Sequence, residues 1–460
     1  MENWSQTMSA GPLLGIAAAA ITVLLLMVIK FRVHAFVTLI LVSLLTAFAA
    51  GIPTDQIVPT LVNNFGSTLG SVALLIGLGA MLGKLVESSG GAKVLADRMI
   101  AIFGEKRAPF ALGVASLLMG FPIFMDAGLI VMLPVIFAIA KRLNGPIIPF
   151  ALPAAAAFSV MHVFVPPHPG PVAASELYGA NLGLVMLTGV LIAFPLWYLS
   201  GYLWSRFAAS RITLEQVAGG MFGDSDEEEV TNPPSIGAVL AMLLLPMALI
   251  FMNTGLDFLR AAGMADSDAG WYKLCSALGE TPIALLISVL VALWVLGGRR
   301  GKSGTALEKV LDSALGPICS VVLITGAGGM FGGVLRASGI GDALSGSLEN
   351  LGLSVIMATY VVAVLMRVAQ GSATVALVTA AGLMAPAVEA GDFSTMQVVA
   401  ITLATAAGSV FASHVNDSGF WLVGRLMGMD VKTTLKVWTT QQTLESVLGF
   451  ALAWVVFMLF

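Results

Sequence analysis

Twelve stretches of the chain are dominated by apolar residues: 12–29, 33–51, 68–86, 108–140, 146–175, 182–204, 236–253, 280–298, 314–335, 353–388, 395–424 and 438–460. Four windows, 3–29, 33–54, 143–175 and 177–205, contain no Asp, Glu, Lys or Arg. Each is longer than the ~20 apolar residues a helix needs to cross the hydrocarbon layer. The pattern predicts an all-α polytopic membrane protein. The one clearly aqueous stretch, 205–235, carries the acidic run Asp224-Ser225-Asp226-Glu227-Glu228-Glu229 before Pro233-Pro234. That is the composition of a solvated linker, and it divides the chain into halves 1–204 and 236–460. No Lys or Arg precedes Lys30. Residues 12–29 therefore read as a retained first span rather than a secretory signal, which needs a positive flank.

The halves repeat one another. Gly77-Leu78-Gly79-Ala80-Met81-Leu82-Gly83, ending in Ser89-Gly90, recurs as Gly326-Ala327-Gly328-Gly329-Met330-Phe331-Gly332, ending in Ser338-Gly339. Ser159-Val160 recurs as Ser409-Val410, and Gly170 pairs with Gly419. The offset stays at 249 or 250 residues throughout, so elements one to six correspond to elements seven to twelve. The glycines themselves are expected to serve close helix packing rather than phosphate binding, since no GK[ST] follows them.

Basic residues orient the two halves. In the first half they fill the loops after the first (Lys30, Arg32), third (Lys93, Arg98, Lys106, Arg107) and fourth (Lys141, Arg142) elements. In the second half they fill the loops after the eighth (Arg299, Arg300, Lys302, Lys309) and eleventh (Arg425, Lys432, Lys436). Equivalent loops thus fall on opposite sides, as in inverted-topology repeats. Six plain spans per half would leave the halves parallel, so one element of each must enter and leave on the same side. Elements 108–140 and 353–388 are the expected re-entrant hairpins. The remaining expectation is scaffold spans over 12–86, discontinuous helices at 146–175 and 395–424, and a span at 182–204. Both termini then lie outside and the linker in the cytoplasm.

Composition sharpens the exclusions. Hydrophobic residues make up 58% of the chain and charged ones 10%, against about a quarter charged in soluble proteins. A net charge of −4 with no basic cluster excludes a nucleic-acid-binding surface. Two cysteines, Cys275 and Cys319, are too few for a disulfide framework and are expected as buried thiols. No His or Cys spacing suggests a metal site, and no cofactor motif is present.

The chemistry is expected where the apolar elements are interrupted, because irregular backbone at membrane depth must be buried in protein or line a wet cavity. Gly120-Phe121-Pro122-Ile123-Phe124-Met125-Asp126 interrupts the fourth element, and Arg367-Val368-Ala369-Gln370-Gly371-Ser372-Ala373-Thr374 the tenth. His162 through Pro171 breaks the fifth, and Ser413-His414-Val415-Asn416-Asp417-Ser418-Gly419 the eleventh. Asp126, Arg367 and Asp417 are each the lone charge of their apolar neighbourhood, which by default marks a functional position. Arg367 offers a permanent planar fork to a substrate carboxylate. The alternative is that Arg367 and an acid form a structural pair holding the halves together. Asp126 or Asp417 suits a proton, because desolvation disfavours a charged carboxyl. His162, His168 and His414 form a second candidate proton or hydroxyl site, with a satisfied core histidine as the alternative. Ser372, Thr374, Asn416 and Ser418 supply neutral donors and acceptors for a polyhydroxylated ligand.

At GLGAMLGKLVESSGG (77–91), FVPPHPGP (164–171), RVAQGSATVA (367–376) and FASHVNDSGFW (411–421), the chain resembles the gluconate permease (GntP) family within the ion transporter superfamily. The likeness implies a proton-driven importer of gluconate or a related small hydroxy acid in the bacterial inner membrane, working as a homodimer with a mobile hairpin-bearing domain. The likeness puts an acidic residue near the first hairpin tip, a place Asp126 fills; the interruptions themselves offer Arg367, Gln370, Gly371, Ser372, Thr374, Phe124, His168, Gly170, His414, Asn416 and Ser418 as candidate substrate contacts. Proton coupling would fall to Asp126, Asp417 or His162. Members of the family also carry D-serine, which stands as the second substrate class. An intramembrane enzyme or a passive channel are the competing classes. The first has no use for an inverted repeat, and the second would equilibrate a substrate rather than concentrate it.

Overall fold

The computed structural model describes residues 6–143, 145–211, 232–261, 264–340, 343, 354–414 and 417–460. These residues are all-helical. The acidic run at 224–229 lies outside them. Eight helical runs among them are long and apolar enough to cross a membrane, and large apolar side chains such as Val58, Leu191, Leu290 and Val455 stand exposed on their outer faces.

The first half begins with α1 (Ala10–Leu25) and α2 (Ala35–Ala49), followed by the long α3 (Thr54–Ser88) and the short α4 (Gly91–Phe103). Next come α5 (Ala108–Met119) and α6 (Met125–Arg142), joined by a turn over 120–124. The expected discontinuous helix is α7 (Ile148–Phe164) and α8 (Pro169–Tyr178), separated at 165–168. α9 (Leu182–Trp197) continues through a π turn into α10 (Trp204–Arg211). The second half starts with α11 (Ile236–Ala261), α12 (Gly270–Gly279) and α13 (Thr281–Ala292). The long α14 (Gly304–Ala337) follows. Then α15 (Val355–Gln370) turns at Gly371-Ser372 into α16 (Ala373–Ala390). α17 (Thr395–Ser409) and α18 (Ser418–Leu426) are separated at 410–417, and α19 (Val431–Thr434) and α20 (Thr440–Leu459) close the chain.

Two sets of residues depart from the expectation drawn from apolar runs. α3 and α14 start well before 68 and 314, and α4 and α12 form helices where loops were expected. The reason is the partner surface. Along α3, Asn64, Phe65 and Thr68 seat against Gly333, Gly326 and Gly329 of α14, where a Cβ would find no room. One face of the polar stretch of α3 is therefore covered by protein, while Asp55, Asn63 and Ser67 stay exposed on the other, and the helix forms without an uninterrupted apolar sequence. α4 buries Leu95, Ala96, Met99 and Ile100 and leaves its charged face outside, an amphipathic pattern that a search for uncharged windows passes over. The cysteines are also a correction: Cys319 is exposed on α14 and Cys275 is half-buried on α12. An apolar neighbourhood in such a bundle often means an outer face rather than the interior.

α2, α3, α13 and α14 form one packed group, in which α3 and α14 cross along much of their length. α7, α16 and α17 form the buried centre, almost every residue of α7 and α16 being enclosed. Glycines bring the two groups together. Gly83 of α3 meets the Pro122 carbonyl at the first turn, and Gly328 and Gly332 of α14 interlock with Gly382 of α16. Any side chain at Gly83 would push α3 off the turn.

Candidate functional site

The two turns and the two helix breaks meet around one cavity of about 420 Å³, a size that suits a small ligand. Local sequence explains the convergence. Pro166, Pro167 and Pro169 cannot continue a helix, so α7 stops at Phe164 and a new helix begins at Pro169. Gly371 takes a left-handed backbone, φ 81°, which lets α15 end abruptly. Ser372 then caps α16 by accepting the Val375 N–H, and Asp417 caps α18 by accepting the Gly419 N–H at 2.9 Å. As a result α6, α8, α16 and α18 all present their N-terminal residues to the cavity, through Met125, Pro169, Ala373 and Ser418. Each such end carries a partial positive charge, and those of α6, α16 and α18 carry unpaired N–H groups as well; in α8, Pro169 and Pro171 leave only the Gly170 N–H.

Arg367 is buried at the wall. Its Nη2 donates to Asp417 Oδ2 at 2.5 Å, and its Nη1 donates to the Gly371 carbonyl. Arg367 Nε is buried and has no hydrogen-bond partner among the described residues. Asp417 also accepts the Ser413 hydroxyl, which in turn accepts Trp438 Nε1 at 2.9 Å. Arg367 is thus not a free fork: it pairs with an acid on the cavity wall, and because Asp417 belongs to the same half, 236–460, the pair does not join the two halves. Asp126 lies in the first turn of α6 with its side chain open to the cavity. Among the described residues it has no hydrogen-bond or ion-pair partner, and Asp417 is near enough to act on it electrostatically.

His162 lines the cavity, and its Nε2 pairs with Thr374 Oγ1 at 3.1 Å. His168 is buried behind the wall, donating from Nε2 to the Gly120 carbonyl at 2.7 Å. Phe124 packs on both rings at centroid distances of 5.8 and 5.7 Å. Ser372, Thr374 and Ser418 are also on the wall. His414 is turned to the Ala412 carbonyl at 2.8 Å and does not line the cavity, nor do Gly170 and Gly371. Gly170 instead packs against Leu377. Gln370 closes α15, but its side chain is outside what the structure describes, as is Asn416.

Several cavity groups escaped the sequence reading. Lys84 and Glu87 on α3 form an ion pair of 2.6 Å at the wall. Ser159 and Gln442 also line it and belong to a buried cluster with Gln441 and Glu445. Glu445 carried the same signal as Asp126, for it is the lone charge after Lys436. Ser159 and Gln442 are uncharged residues in apolar helices and carried none.

An apolar helical bundle around a largely apolar cavity, into which helix ends bring a few charged and polar groups, fits the class of membrane transporters. The comparisons narrow the class. Residues 12–459 match the GntP family permease model. The inner membrane permease YgbN of Escherichia coli is 39% identical over 98% of this chain and 99% of its own. The gluconate permease of Pseudomonas aeruginosa is 36% identical over 94% and 95%, and the Gnt-II system L-idonate transporter of Escherichia coli is 35% identical over 94% and 96%. In three dimensions the chain is similar to the Alcanivorax borkumensis YdaH transporter, with a TM-score of 0.61 at 17% identity over 93% of this chain and 99% of that one. The chain belongs to the GntP permease family. It is a multi-pass membrane transporter, and its relatives are permeases rather than enzymes.

Proposed function

We propose that the chain imports gluconate or a related small hydroxy-carboxylate together with a proton, across a bacterial inner membrane. The observation that carries this reading is the meeting of four helix N-termini and Arg367 in one cavity, an arrangement that attracts an anion. Ser372, Thr374 and Ser418 add hydroxyl partners for a polyhydroxylated chain. The wall holds three carboxylates, Glu87, Asp126 and Asp417, against two cations, Lys84 and Arg367. A substrate carboxylate would therefore add to an excess of negative charge, and a proton on Asp126 removes that excess. The relatives named for gluconate and L-idonate favour hydroxy acids, and the one named an inner membrane permease favours the location.

In this reading 1–204 and 236–460 are inverted repeats, 205–235 is cytoplasmic and both termini are periplasmic. The α5–α6 and α15–α16 pairs are re-entrant hairpins. They move with the broken helices against the α2, α3, α13 and α14 group, in an elevator-type cycle of a homodimer. The open Asp126 carboxylate also suits the ammonium of D-serine, with Arg367 again taking the carboxylate, and this is the second reading.

Purified protein in liposomes with an alkaline interior is the test. Labelled gluconate should be concentrated above its outside level, and unlabelled idonate should compete while D-serine does not. Simple equilibration would indicate a channel, and accumulation of D-serine alone would favour the second reading.

A further inference from the structure

The transport reading leaves one buried carboxyl without a task. Glu445 on α20 is fully enclosed, and no ion pair with it is found among the described residues. Its Oε1 accepts the Ser159 hydroxyl at 3.0 Å, and its Oε2 accepts Gln441 Nε2 at 3.0 Å and Gln442 Nε2 at 3.1 Å. Gln442 Nε2 also lies 2.8 Å from both Ser159 Oγ and Gln441 Oε1. An amide nitrogen has two hydrogens, and here three oxygens compete for them. The cluster is one hydrogen short. A proton on the carboxyl supplies the missing donor once the amides turn over. An ionised carboxylate held only by neutral donors is costly to bury, so the site suits a group that gains and loses a proton.

The cluster is in communication with the cavity, because Ser159 and Gln442 line it. The elements around Glu445 contribute few charges. From α15 come Arg367, which acts on Glu445 electrostatically while pairing with Asp417, and Tyr360, bonded to the neighbouring Ser446 at 3.1 Å. From α7 comes His162, one turn beyond Ser159. The break at 410–417 adds Asp417 and His414, and the π turn 198–203 adds Tyr198 and Tyr202; α9 and α17 carry no titratable residue.

We propose that Glu445 is a proton-binding site of the transport cycle, loaded from the cavity through Ser159 and linked to the substrate through Arg367. It rests on the proton-symport reading above. In the loading step Ser159 passes its hydroxyl proton to Glu445 Oε1 and takes a replacement from a hydronium ion that reaches the cavity from the outside medium, which leaves neutral water, so the hydroxyl is regenerated and the carboxyl is neutralised. A substrate carboxylate on Arg367 offsets the positive charge that opposes this proton. By linkage the proton strengthens anion binding in return, and the two are carried together.

The test uses the full chain in proteoliposomes with labelled gluconate and an alkaline interior. Wild type should accumulate gluconate. Glu445→Gln should only equilibrate it, while exchanging gluconate in counterflow at the wild-type rate and losing the pH dependence of gluconate affinity. Glu445→Asp should restore accumulation, and Ser159→Ala, which keeps the carboxyl, should lose accumulation more than counterflow. Wild-type accumulation by both Glu445→Gln and Ser159→Ala overturns the proposal. So does a parallel loss of accumulation and counterflow, the outcome of a purely structural role. A wild type that ignores the pH gradient overturns the proton-symport reading and this proposal with it, so the wild-type arm separates the two failures.

Discussion

The two helix breaks that face the cavity are held open by different chemistry. At 165–168 the interruption is made by Pro166 and Pro167, and its free end is tied down by a neutral contact, the bond from His168 to the Gly120 carbonyl. At 410–417 there is no proline. That break is tied by charge, with Asp417 holding Arg367, the Ser413 hydroxyl and the Gly419 N–H. Asp126, at the start of α6 beside the first break, is left open to the cavity, whereas Asp417, within the second break, is engaged in a pair. The cavity thus holds a fixed cation, Arg367, on one side and an open carboxyl, Asp126, on the other. A lone charge in an apolar element acquires its role from what its neighbours leave unbonded.

Substitutions can break this contrast. The largest effect is expected from Arg367→Gln, which strands the buried Asp417 carboxylate at a cost of about 3–5 kcal/mol and removes gluconate binding. Adding Asp417→Asn should recover most of the thermal stability in detergent but not the binding. If the double variant binds gluconate, the pair is a structural clasp alone.

A smaller loss is expected from His168→Ala, about 1–3 kcal/mol for the Gly120 carbonyl left without its donor. Gluconate affinity should hold, since the imidazole sits behind the wall. A large fall in affinity measured by ligand-binding calorimetry would place His168 in contact with the substrate and erase the neutral, supporting role given to the first break.

The smallest change in stability, within about 0.5 kcal/mol, belongs to Asp126→Asn, because none of the described residues is bonded to that carboxylate. Accumulation driven by a pH gradient should nevertheless stop while counterflow persists. Accumulation at the wild-type level would remove Asp126 from the proton route and leave Glu445 as the acid to examine.

Much of the architecture was legible in the chain. The uncharged windows mark the membrane elements, since only apolar side chains tolerate the hydrocarbon layer. The interruptions at 120–126, 162–171, 367–374 and 413–419 mark the turns and breaks, since Pro and Gly act on the backbone locally. The lone charges drew attention to Arg367, Asp126 and Asp417, all of which reach the cavity. Helix extent was less legible where protein rather than lipid covers the surface. The polar start of α3 is matched to glycines of α14 more than 250 residues away, and no local pattern records that match. The same limit applies to the Ser159–Gln442–Glu445 cluster, whose members come from α7 and α20: Glu445 is marked as a lone charge, but Ser159 and Gln442 are ordinary residues when taken singly. Sequence by itself determined which segments enter the membrane and where they break, because those preferences are set residue by residue against solvent and lipid. Only the tertiary structure decided which acid pairs with Arg367 and which stays open, because that depends on distances between segments the chain keeps far apart.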